Sequence, residues 1–209
     1  MKQIKMLGLL SFAVMALTAL FGSASASAAP KFTASAAGLK LKTTTLENHV
    51  FTITGSSLEC KKINFEGTTE GTETTSQALH PSYGECTAFG LPSTVAVTNC
   101  KLVLTADGTV HLAKTDTSPG AEACNIHIES SSIFGKCKVT ITEQTIGAAI
   151  TFVPTSSVDI HEIWHITLST HVTESTGVCP LTVGTHTNAT YKGKSTVQAE
   201  GGTISWDEV

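Results

Sequence analysis

From Lys31 onward, apolar and polar residues alternate with a period of two in segment after segment. That is the pattern of strands with one face buried. Cys124, Ile126 and Ile128 face one way, and Asn125, His127 and Glu129 the other. Cys137, Val139 and Ile141 oppose Lys138, Thr140 and Thr142. Val95 and Val97 alternate with Thr94, Ala96 and Thr98, and Leu102 and Leu104 continue a strand beyond Cys100. Further strands are predicted at Val50–Thr54, Leu58–Phe65, Thr109–Ala113, Ala149–Val153, Val158–Val172, Thr190–Ala199 and Thr203–Trp206. Turn signals fall at Asp107-Gly108, Ser118-Pro119-Gly120, Phe134-Gly135, Lys192-Gly193 and Gly201-Gly202. No segment after residue 30 carries a helical period. About ten short strands at this spacing predict an all-β fold, an antiparallel sandwich or a partly open barrel.

The first thirty residues break the pattern. Lys2 and Lys5 precede an apolar run from Met6 to Phe21, and Ala26-Ser27-Ala28 follows. A positive start, a short apolar centre and an Ala-x-Ala site predict a secretory signal peptide over residues 1–28. The run is short for a membrane span. Residues 29–209 are then expected to form a single all-β domain, with no membrane span once the peptide is cleaved.

Composition narrows the picture. The chain of 209 residues has a net charge of −4, only 14% charged residues, and 34 Thr and 20 Ser. All 13 basic residues are Lys. Without Arg there is no planar fork for phosphate or guanine, and the acidic balance offers no basic face, so nucleic acid is not an expected partner. Six cysteines in an exported chain predict disulfides. They permit fifteen connectivities. The strand register favours Cys124–Cys137 across a hairpin and Cys86–Cys100 across another, leaving Cys60–Cys179 as a long-range staple.

One stretch resembles catalytic chemistry. His161-Glu162-Ile163-Trp164-His165 matches the zinc-hydrolase pattern H-E-x-x-H, and His171 stands where a third ligand belongs. On a helix, His161, His165 and His171 would hold zinc while Glu162 deprotonates its water. Strand alternation opposes that. The even positions read Val158, Ile160, Glu162, Trp164, Ile166, Leu168, Thr170 and Val172, and six of the eight are apolar. On a strand, residues four apart stand about 13 Å from each other, too far to share an ion with bonds of about 2 Å. The expectation is therefore no metal site, no cofactor and no catalytic residue. Glu66, Glu70 and Glu73 lie in the Thr-rich tract 68–77 and its margin, read as a solvated loop or edge strand. His49, His80, His111, His127 and His186 are scattered, and each is read as a surface or hydrogen-bonded residue.

The segments Tyr83–Gly90, Asn99-Cys100, Gly135–Ile141 and Gly184–Gly193 resemble a group of uncharacterised secreted proteins of soil actinobacteria. The resemblance implies a disulfide-stapled β domain and carries no activity. The expected function is a secreted, non-catalytic structural or binding role, at the cell surface or outside the cell, with a cell-wall or extracellular polymer as partner. The alternatives are the zinc metalloprotease and a carbohydrate-binding module. The latter would use Tyr83, Trp164, Tyr191 and Trp206 as exposed platforms.

Overall fold

The computed structural model describes residues 29–132, 135–155 and 159–208; the signal peptide expected at 1–28 lies outside them. Strands make up 74% of the fold, with no helix among the described residues, so none is long and apolar enough to cross a membrane. The strands are β1 (Lys31–Ala34), β2 (Lys40–Ile53), β3 (Ser56–Thr68), β4 (Glu73–Thr74) and β5 (Ser76–Ala88). There follow β6 (Leu91–Thr98), β7 (Cys100–Thr105), β8 (Thr109–Lys114), β9 (Asn125–Ser132) and β10 (Gly135–Thr142). The last are β11 (Gln144–Ala148), β12 (Ile150–Pro154), β13 (Asp159–Ser175), β14 (Gly184–Ala199) and β15 (Ile204–Asp207).

Eight of them close into an antiparallel barrel in the order β5-β3-β2-β14-β13-β10-β9-β6, with β6 bonded back to β5. Of the two expected forms, the sandwich is corrected, and the barrel is closed where it was expected to be partly open. Alternation along a strand tells which face is buried, not which strands pair, and it reads the same in a sandwich and in a barrel. Strand β5 also exceeds what local pattern shows, because its alternation breaks at Tyr83–Glu85 and Pro81 argues against a strand. Pro81 is tolerated because it pairs with Phe65 of β3 on one side only.

Two strands of the ring change partner along one edge. β5 pairs with β7 over Ser76–Leu79 and with β6 over Cys86–Ala88, so His80–Glu85 face neither. β13 pairs with β12 over Ile160–Trp164 and with β10 from His171 to Ser175. The sheet β7-β8-β11 thus extends the wall at one end, while β6-β9-β10 completes the ring at the other. A small sheet, β15-β1-β4, packs through Phe32, whose ring meets Phe152 edge-on at 5.1 Å. In the Thr-rich tract, Glu73 belongs to the edge strand β4 and pairs with Lys31 at 2.9 Å.

All three expected disulfides are corrected. The bonds are Cys60–Cys86, Cys100–Cys124 and Cys137–Cys179. Cys60 and Cys86 stand directly opposite on β3 and β5, with Cα atoms 4.0 Å apart. The hairpin proposed for Cys124 and Cys137 exists as β9–β10, but its register sets Cys137 against Ser130, six residues beyond Cys124. Likewise Cys86 faces Ser93 in the β5–β6 hairpin, leaving Cys100 seven residues away. At about 3.3 Å per residue, neither pair can approach bonding distance. Proteolysis of non-reduced protein should yield linked peptides for these three bonds. A Cys124–Cys137 peptide would contradict the register.

Candidate functional site

Strand β13 carries the H-E-x-x-H segment in fully extended form. Its even residues Ile160, Glu162, Trp164, Ile166, Leu168, Thr170 and Val172 are buried. His165 and His171 are exposed and His161 is half-buried, all on the opposite face. The would-be general base and its would-be metal ligands therefore lie on two sides of one sheet, and the zinc-hydrolase arrangement does not form. Among the described residues, no group of three or more His, Cys, Asp or Glu side chains is placed to hold a metal. His165→Ala should shift stability by less than about 0.5 kcal/mol in thermal denaturation, as an exposed position away from other features does. Added zinc should leave the transition unmoved.

The inner face is where the chemistry gathers. Trp164 is completely buried, and Phe65 lies 5.0 Å from it, centroid to centroid. Tyr191 meets Trp164 edge-on at 6.0 Å, and His49 stands 5.3 Å from Tyr191. These rings surround two short polar chains. In the first, His49 Nδ1 is 2.6 Å from the Tyr191 hydroxyl, and Tyr83 lies close to Tyr191 on the same lining. In the second, Trp164 Nε1 donates to Ser195 Oγ at 3.3 Å, and Ser195 Oγ donates to Glu162 Oε2 at 3.2 Å. The second chain follows from register, because Glu162 and Ser195 are opposed residues of β13 and β14.

His49 fits because of one glycine. Trp164 is paired with Gly193 across β13 and β14. A Cβ at position 193 would fall 2.5 Å from the ring atoms Cγ and Nδ1 of His49. Lys192-Gly193, read from sequence as a turn, is instead the middle of β14 (Gly184–Ala199), where the missing side chain admits an imidazole. Gly193→Ala should therefore destabilise the fold by about 1–3 kcal/mol, the usual cost of overpacking, measured by denaturant unfolding.

Burial sets the protonation of the site. It pulls the His49 imidazole down to about 4, against a weaker upward pull from the Lys194 backbone. It pushes the Glu162 carboxyl up to about 8, against the hydrogen bonds of Ser195 and Trp164. It raises the Tyr83 hydroxyl to about 12 and the Tyr191 hydroxyl well above its ordinary range. At pH 7 the interior therefore holds a neutral imidazole, a protonated carboxyl and two phenols, with no net charge.

Beside these groups lies a chamber of about 60 Å³. Its walls are Phe51, Leu58 and Leu168 from the ring, Val95, Ile126 and Ile128 from the β6–β9 side, and Leu102, Leu112 and Ile146 from the β7-β8-β11 extension. The polar groups on its lining are those of His49, Tyr83, Trp164 and Tyr191. The four aromatic residues considered as exposed sugar platforms are not platforms. Trp164 is sealed inside, Tyr83 and Tyr191 turn their hydroxyls inward, and Trp206 is half-buried with Nε1 donating to the Ala106 carbonyl at 2.8 Å. The signal for Glu162 was present in the sequence, as a carboxylate in an otherwise apolar register. Nothing local marked His49 or Ser195.

No protein-family model, no curated protein and no solved structure matches this chain.

Proposed function

We propose that this chain is a secreted, non-catalytic binding protein whose binding part is the interior of the barrel. Three disulfides are typical of proteins outside the cell. Export by the N-terminal segment, and kinship with the secreted actinobacterial proteins it resembles, belong to the same proposal. The observation that carries the reading is the chamber. An eight-stranded barrel is just wide enough to be filled by side chains or to hold one small ligand. Here an apolar void persists beside a few polar groups, the lining of a small-molecule site at well below the usual size. Binding of a cell-wall or extracellular polymer by the Thr-rich outer faces is a second, separate role.

The test uses Trp164 as its own reporter. In a Trp206→Phe variant, titration with isobutane should change the Trp164 emission saturably. Ile146→Phe, which fills the chamber, should abolish the change. An unresponsive Trp164 at saturating isobutane would overturn the reading.

A further inference from the structure

We propose that the chamber takes a small neutral alcohol or ketone, of about four or five non-hydrogen atoms, whose oxygen hydrogen-bonds to His49. The inference rests on the chamber reading and adds the chemistry of the ligand. Its basis is an unfilled valence. His49 is 1% exposed and lines the chamber, its Nδ1 is taken by Tyr191, and its Nε2 is buried with no hydrogen-bond partner among the described residues. A buried polar atom left unpaired is costly, so a native structure that keeps one calls for an explanation.

Water fills the site poorly. One water at Nε2 would leave most of the wall, which is aliphatic, without a contact. An alcohol or ketone offers one oxygen to Nε2 and carbon to everything else. The size agrees. The chamber exceeds the roughly 10–15 Å³ that one water needs, and falls below the roughly 150 Å³ of a cavity that admits benzene. Charge agrees too, because no ionised group lines the chamber to receive a carboxylate, phosphate or ammonium.

The hydrogen bond between Tyr191 and His49 explains why both classes fit. When the Tyr191 hydroxyl donates to Nδ1, Nε2 carries the proton and donates to a ketone or an alcohol oxygen. When Nδ1 donates to Tyr191, Nε2 is unprotonated and accepts from an alcohol. The switch needs only hydroxyl rotation and a change of tautomer, with no change of net charge. Tyr83, which also lines the chamber, lies in the stretch of β5, His80–Glu85, that pairs with neither β6 nor β7, beside the seam in the wall.

The experiment compares 2-propanol with isobutane, which replaces its hydroxyl by a methyl at equal size. Binding is read in the Trp206→Phe protein by Trp164 emission and by the ¹⁵N shifts of the His49 ring. The expected result is that 2-propanol moves the Nε2 resonance while isobutane does not. His49→Phe should weaken 2-propanol at least about tenfold, as loss of a buried partner does, and leave isobutane within about threefold. If isobutane binds while 2-propanol leaves Nε2 unmoved, the role of His49 is overturned and the chamber reading survives. If neither ligand changes Trp164, both fall. Should His49→Phe fail to fold, the wild-type ring shifts decide the question alone.

Discussion

Truncation of Trp164 to alanine is expected to cost about 3–5 kcal/mol in denaturant unfolding, the range for deleting a large buried aromatic. The indole is completely buried, touches Phe65 and Tyr191, and stacks its plane at a tilt to His49. Its removal deletes apolar area and leaves a void continuous with the existing chamber, and a rigid barrel wall cannot collapse onto it. It also strips Ser195 of the Nε1 donor, which loosens the hydroxyl that holds Glu162. Trp164→Phe should recover most of the packing but not the hydrogen bond. A loss below about 1 kcal/mol for Trp164→Ala would mean that position 164 is solvent-facing, and the inward register of β13 would be wrong.

The second large effect is a fall in stability on the alkaline side of neutrality. Glu162 has a native value of about 8 against an unfolded value near 4.5, so between those limits the folded protein holds a proton that the unfolded chain has released. Its contribution is complete below pH 4.5 and is lost as pH rises to about 8. His49 works in the opposite sense. With a native value of about 4 against 6.5, it contributes fully above pH 6.5 and loses that contribution as pH falls towards 4. The two slopes cancel between pH 4.5 and 6.5. From 6.5 to 8 His49 no longer offsets Glu162, and stability should fall with rising pH, by about 2 kcal/mol in all. Tyr83 and Tyr191 face the same interior, and both are raised, so they stay neutral throughout this window. Glu162→Gln should flatten the fall above pH 6.5. His49→Phe should extend it downward to about pH 4.5, because nothing then offsets Glu162.

What the sequence made legible was the local part. The inward and outward faces of β13 follow from the apolar register that Ile160, Trp164, Ile166, Leu168 and Val172 share, and that sufficed to set His161 and His165 on the face opposite Glu162; Val158, also expected in this strand, lies outside the described residues. The termini of β3, β8 and β15 lie within a few residues of their expected positions, because Gly and Asp turns bound them. What stayed hidden was the long-range part. Closure depends on β6 returning to β5, and the disulfides depend on exact cross-strand register, which a one-residue slip would rearrange. Gly193 looked like a turn because glycine serves both for bends and for close approach, and only the partner strand distinguishes them. The same holds for the site. His49 on β2, Tyr83 on β5 and Tyr191 on β14 are separated in sequence by up to 142 residues, so no spacing rule could bring them together.

The most direct measurement is a crystal of the protein held under xenon pressure. Xenon is uncharged, polarisable and small enough for a cavity of about 60 Å³. One ordered xenon atom is expected inside the barrel, in contact with Trp164, Ile126 and Leu168. A crystal that takes up xenon only at its surface, with side chains filling the interior, would contradict a binding function for the barrel.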